Sequence, residues 1–124
     1  MTKRILVIDD EDNVREIIQI SLEAAAGWNV LTASSGGEGI EIATSESLDA
    51  ILLDVMMPHM DGPTTFMQLQ AIPATRDIPT ILLTAKAQRT EQQQFINLGV
   101  SGIITKPFLP QDLVNNICRI LNWN

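Results

Sequence analysis

Five short apolar runs, Ile5 to Ile8, Val30 to Ala33, Ala50 to Leu53, Thr80 to Leu83 and Gly102 to Thr105, recur along the chain, and most are continuous rather than alternating. A strand that is apolar at consecutive positions has both faces covered, which is the pattern of a parallel sheet between layers of helix. The intervening segments have helical spacing. Val14, Ile17, Ile18, Leu22 and Ala25 make a stripe that ends at Gly27. Ser35, Gly36, Gly37 and Glu38 have capping-box spacing ahead of Ile40, Ile42 and Ala43. A third helix starts near Pro63, carries Phe66, Met67, Leu69 and Ile72, and stops at Pro73. A glutamine-rich fourth, Gln88 to Leu98, ends at Gly99, and Pro110 opens a last helix that buries Leu113, Val114, Ile117, Ile120 and Leu121. Strand and helix thus alternate five times in 124 residues. With right-handed crossovers this predicts one α/β domain over residues 1–124, an open, doubly wound, five-stranded parallel sheet. A closed eight-fold barrel needs about twice the length.

Charge narrows the partners. Fifteen acidic against eight basic side chains give a net charge of −7, which lacks the basic footprint that nucleic acid or an anionic membrane requires. The first apolar run is too short for a signal peptide or a membrane span, and the lone Cys118 forms no internal disulfide. A soluble, cytoplasmic protein is expected.

Open parallel sheets place their sites beyond the carboxyl ends of the strands, where the winding reverses. The residues there are Asp9 with Asp10, then Ser34, Asp54, Thr84 and Lys106. Singly, each has a plain structural use as a cap, a turn residue or a surface charge. Their convergence on one edge is what points to chemistry. Crowded carboxylates repel and have raised pKa values unless something positive sits among them. An oxygen-only ligand set, with no cysteine nearby and no histidine cluster, favours Mg²⁺ over zinc. Three aspartates, one lysine and one Mg²⁺ sum to zero formal charge, so the site would accept a dianionic phosphoryl group. Lys106 and the Thr84 hydroxyl are placed to cover its equatorial oxygens, and Asp54 to act as a carboxylate nucleophile.

The run Leu52, Leu53, Asp54, Val55, Met56, Met57, Pro58, His59, Met60, Asp61, Gly62, with Asp9 and Asp10 before it and Thr84, Ala85 and Lys106, Pro107, Phe108 after it, resembles the receiver domain of two-component response regulators over essentially the whole chain. The resemblance implies the strand order 2-1-3-4-5, Asp54 as phosphoryl acceptor, Thr84 as switch hydroxyl and Lys106 as the pairing cation. It further implies Mg²⁺ held by the side chains of Asp10 and Asp54, by Asp9 through water, and by the Met56 backbone carbonyl. Its partners would be a sensor histidine kinase or phosphotransfer protein and an output protein or appended domain. The domain would be no enzyme in the usual sense, catalysing only its own phosphorylation and dephosphorylation.

Several positions depart from the pattern. Ile103 stands where many receivers carry an aromatic switch residue, and Leu109 precedes Pro110 where a serine cap is common. Met56 and Lys86 occupy variable positions flanking the phosphoryl group, where they are expected to tune lifetime. Among other residues, His59 reads as a surface residue rather than a phosphoryl acceptor or ligand. Met56, Met57, Met60 and Met67 read as gap fillers. Trp28 is expected to pack at the start of the second strand, with Trp123 partly exposed and Cys118 in the core. Three rivals are weaker. Dehalogenase-like phosphatases need a second aspartate two residues after the nucleophile, where this chain has Met56. A degenerate receiver acting only as an interaction module would have lost some of the five chemical positions. A nucleotide-binding flavodoxin-like protein would offer glycine and serine amides where this chain runs Asp10, Glu11, Asp12, Asn13.

Overall fold

The computed structural model describes residues 2–85 and 88–124. Its elements are β1 (Arg4–Ile8), α1 (Asp12–Ala26), β2 (Asn29–Ala33), α2 (Gly36–Ser45), β3 (Ala50–Asp54), α3 (Gly62–Ala71), β4 (Thr80–Thr84), α4 (Arg89–Leu98), β5 (Gly102–Thr105) and, after a 3-10 turn at Pro110–Asp112, α5 (Leu113–Leu121). The strands pair in parallel in the order β2-β1-β3-β4-β5.

Consecutive strand residues feed two separate cores. Ile5 and Val7 of β1, Ala50 and Leu52 of β3, and Ile81 and Leu83 of β4 pack with Ile18 and Leu22 of α1 and Leu113 and Ile117 of α5. Leu6, Ile8, Ile51, Leu53 and Leu82 face the other way, onto Ala43 of α2, Phe66 and Leu69 of α3, and Val100. This two-sided burial is why the strands carry no polar alternation. Because α1 lies on one face and α2 and α3 on the other, the chain leaves β1 and β3 in opposite directions, and a crevice opens at their carboxyl ends.

Helix ends follow local chemistry. Gly27 closes α1 and Gly99 follows α4 at positive φ, 68° and 108°. Ser35 accepts a hydrogen bond from the Glu38 N–H at 3.2 Å, but the Glu38 carboxylate reaches the N–H of Ser34, at 2.6 Å, rather than that of Ser35. The capping box is therefore closed one residue early. Leu109 supplies no side-chain cap, and a backbone bond from the Asp112 N–H to the Leu109 carbonyl, 2.9 Å, stands in for it. Trp28 is buried and meets Trp123 edge to face at 5.5 Å between ring centroids, with the Lys3 ammonium 4.5 Å from the Trp123 ring. Cys118 is half-buried against the core.

Some apolar positions do not go where their stripe suggested. Ile17 of α1 and Met67 of α3 are exposed, because Ile18 and Leu22, and Phe66 and Leu69, define the sheet-facing lines, and Ile17 and Met67 lie about 100° around the helix from Ile18 and Phe66. Ala25, in the last turn of α1, is exposed as well. Met56 is 66% exposed and Met67 59%, so neither is a gap filler; among these methionines only Met57 is buried. No described helix is long and apolar enough to cross a membrane.

Candidate functional site

Strand register assembles the site. Ile8 pairs with Leu53, so the next residues, Asp9 and Asp54, emerge side by side from β1 and β3. Asp54 in turn pairs with Leu83, and Thr84 pairs with Thr105, which puts Thr84 one step beyond Asp54 and Lys106 just past the end of β5. Four adjacent strands thus contribute to a single edge. Carboxylate oxygens of Asp9, Asp10 and Asp54 lie within 4.8 Å of one another. Asp9 is fully buried, Asp54 and Thr84 nearly so, and Asp10 faces solvent.

The Lys106 ammonium bridges the two buried acids, 2.9 Å from Asp54 Oδ1 and 3.1 Å from Asp9 Oδ2. It reaches them from a loop whose Lys106–Pro107 peptide is cis. Burial pushes the Asp54 carboxyl above its ordinary value; the hydrogen bond from Lys106 opposes this, and the charges of Asp9 and Asp10 add to the rise. For Lys106, burial favours the neutral amine, but its hydrogen bonds to Asp54 and Asp9 outweigh that and hold the ammonium above its usual range. Three carboxylates against one ammonium leave the cluster short of positive charge, a deficit a divalent ion would fill. An octahedral Mg²⁺ with bonds of about 2.1 Å spans about 4.2 Å between opposite ligands. The carboxylate spacing suits such an ion with small adjustments, and its all-oxygen chemistry suits Mg²⁺.

Two loops hold the acids in place. Asp9 Oδ1 accepts the N–H of Glu11 at 2.9 Å, a tight turn that carries the chain from β1 into α1. Arg15 of α1 reaches back to donate to the Asp9 carbonyl at 2.7 Å and pairs with the Asp12 carboxylate. On the other side, Asp61 caps α3 by accepting the Thr64 N–H at 2.9 Å, and the Gly62 N–H donates to the Val55 carbonyl at 2.9 Å. Arg15 and Gly62 escaped the sequence reading as supporting residues. For Gly62 a signal existed, a glycine eight residues after a strand-ending aspartate, whereas Arg15 looked like one more polar residue on a helix surface.

Of the strand-end residues, Ser34 does not join the cluster: both its N–H and its hydroxyl are taken by the Glu38 carboxylate. His59 is exposed in the β3–α3 loop with φ of 69°. Ile103 is half-buried on β5 and lines a groove of about 340 Å³ with Asn116 and Arg119 of α5. A second groove, about 370 Å³ and mainly apolar, runs beside Lys106 between Val14 and Ile17 of α1 and Pro107, Phe108 and Pro110. Lys86 lies outside the described residues.

A doubly wound 2-1-3-4-5 sheet with an Asp–Asp–Asp–Lys cluster at its winding reversal defines a class, and comparison with known proteins names it. The family model for the response regulator receiver domain matches residues 5–118. The chain belongs to that family. It is 40% identical over 117 residues to the probable transcriptional regulator ycf27 of Cyanidium caldarium, covering 94% of this chain and 45% of that protein. It is 37% identical over 121 residues to the alkaline phosphatase synthesis transcriptional regulatory protein PhoP of Bacillus subtilis, covering 98% and 49%. The chain therefore spans about half the length of the curated relatives it matches. Among solved structures, chemotaxis response regulator CheY4 of Vibrio cholerae superposes with a TM-score of 0.90 at 28% identity, over 97% of this chain and 99% of that one. The receiver domain of sensor histidine kinase PA1611 from Pseudomonas aeruginosa, solved with a magnesium ion coordinated in its active site cleft, gives 0.86 at 25% identity, over 98% and 99%.

Proposed function

We propose that this receiver accepts a phosphoryl group on Asp54 from a phosphohistidine of a sensor histidine kinase or phosphotransfer protein. The observation that carries the reading is the Lys106 ammonium bridging buried Asp9 and Asp54, with Asp10 completing an acidic triad at the winding reversal. In the transfer, an Asp54 carboxylate oxygen bonds to phosphorus as the phosphorus–nitrogen bond to the donor imidazole breaks, and the nitrogen keeps the electron pair. With a small acyl phosphate the broken bond is phosphorus–oxygen, and the carboxylate leaves.

Asp10 and Asp54 would hold Mg²⁺ by their side chains, Asp9 through water and Met56 by its carbonyl; the magnesium-bearing receiver of PA1611 supports this. When bound, the ion neutralises charge that builds on the phosphoryl oxygens. Lys106 pairs with the transferred group, and Thr84, buried at the same edge, supplies the switch hydroxyl. The domain catalyses only its own phosphorylation and dephosphorylation.

Phosphorylation then biases an existing equilibrium and remodels the face of α4, β5 and α5. Moving a population from 1:99 to 99:1 takes about 5.5 kcal/mol. One hydroxyl contact contributes about 1 kcal/mol, so Lys106 and the β4–α4 loop must add to it. The protein acts in the cytoplasm, and in a regulator of the relatives' length, control of transcription belongs to the segment outside this domain. Intact-mass measurement after acyl-phosphate treatment tests the assignment: the wild type gains one phosphoryl group in a Mg²⁺-dependent manner and Asp54→Asn gains none. Equal labelling of Asp54→Asn overturns it.

A further inference from the structure

We propose that Arg15 is a positioning residue for the divalent-ion site, acting through the backbone turn that presents Asp9 and Asp10 to Asp54; this rests on the function proposed above. One guanidinium nitrogen donates to the Asp9 carbonyl at 2.7 Å and another pairs with the Asp12 carboxylate, so a single side chain clamps both ends of the turn from Asp9 to Asp12. Glu11, at the cap position of α1, makes no side-chain capping bond; within the turn the Glu11 N–H donates to Asp9 Oδ1, while Asp9 is tied to β2 by its own N–H to the Ala33 carbonyl and Glu11 to α1 by the Arg15 N–H. Among the described residues, only the Arg15 side chain joins Asp9 to Asp12 directly.

Charge argues for this role. A cation beside an acidic triad opposes the arrival of a second cation, so Arg15 on Coulombic grounds alone weakens ion binding. Its guanidinium, however, is engaged by the Asp12 carboxylate and the Asp9 backbone carbonyl, not by a carboxylate of the triad, and the Arg15 side chain is only 17% exposed. The planar fork holds two donors at a fixed spacing and direction, whereas a lysine at this position would offer a compact ammonium on a flexible stem. Side chains that orient metal ligands typically govern affinity by 10- to 100-fold.

Isothermal titration of the metal-free protein with Mg²⁺, together with thermal unfolding without the ion, tests this. Arg15→Ala weakens Mg²⁺ binding by about tenfold, and Arg15→Lys recovers only a minor part of the loss. Asp12→Ala and Asp12→Asn remove the same charge but differ in keeping an acceptor, so Asp12→Ala binds several-fold more weakly than Asp12→Asn. Tighter binding by Arg15→Ala shows that charge outweighs any positioning, unchanged binding shows that the residue does not act on the ion, and full recovery in Arg15→Lys shows that the fork is not needed; each overturns the proposal. Should Arg15→Ala unfold, the exposed Asp12 pair decides, with equal affinities contradicting the clamp. A wild type that does not bind Mg²⁺ at all instead overturns the proposed function on which the clamp rests.

Discussion

A Cβ built on Gly62 would fall 2.4 Å from the Asp54 carbonyl oxygen and 2.9 Å from the Val55 Cα. Both obstructing atoms are backbone, so neither can swing aside. The first turn of α3 is packed directly against the backbone at the end of β3, on the residue that carries the Asp54 carboxylate. Gly62→Ala is therefore expected to cost about 1–3 kcal/mol of stability through overpacking and to slow acyl-phosphate labelling of Asp54. Denaturant unfolding and labelling rates check this; an Ala variant of wild-type stability would mean that α3 moves away freely.

Lys106 separates two buried carboxylates, and its removal leaves them facing each other without a cation. In the metal-free protein at neutral pH, Lys106→Ala is expected to lose about 1–3 kcal/mol. Mg²⁺ restores more stability to the variant than it adds to the wild type, because the ion then carries the whole burden of neutralisation. Urea unfolding with and without Mg²⁺ measures both numbers. Labelling of Asp54 persists in this variant while the conformational response weakens.

Asp54→Asn removes one of the like charges that raise the site's energy. Without metal, the variant is expected to be at least as stable as the wild type, since Lys106 keeps its bond to Asp9. Mg²⁺ at about 100 times its dissociation constant stabilises the wild type by about 2.7 kcal/mol, and the variant by much less. Thermal unfolding across a Mg²⁺ titration distinguishes the two.

The pH dependence follows from the raised carboxyl of Asp54. A folded-state pKa above the ordinary 3.8 means that the fold holds this proton better than the unfolded chain does. Its stabilising contribution is complete below 3.8 and is lost as pH rises through the raised value. Lys106, also raised, contributes stability below 10.5 that is lost only in strong alkali. Proton and metal compete for the same carboxylate, so the gain in unfolding temperature caused by Mg²⁺ is expected to grow as pH rises from about 4 to 7. A gain independent of pH over that range would place the ion elsewhere.

Much of this molecule is legible in its sequence because burial on both faces writes itself into continuous apolar runs. Asp9, Asp54, Thr84 and Lys106 stand out as the polar residues that end those runs, and parallel pairing makes adjacent strand ends adjacent in space. What stayed hidden depends on contacts between segments. Met56 and Met67 are apolar in composition, yet point to solvent, since only position around a helix or loop decides burial. Glu38 closes its cap on Ser34 because the local backbone brings that N–H nearer. Arg15 carries no signature of its own, being a polar helix residue until β1 is in place beside it, and the spacing of Gly62 from Asp54 marks a turn glycine without showing the close approach to the end of β3 that requires it.

In the proposed function, the three acids and Lys106 make Asp54 the carboxylate that takes phosphorus. Borohydride reduction of the acyl-phosphate-treated protein, followed by peptide mass mapping, tests it most directly, because reduction converts an aspartyl phosphate to homoserine at the modified position. The account predicts homoserine at position 54 alone, formed only when Mg²⁺ was present during labelling. Modification at Asp9, Asp10 or His59, or at position 54 to the same extent without Mg²⁺, would contradict it.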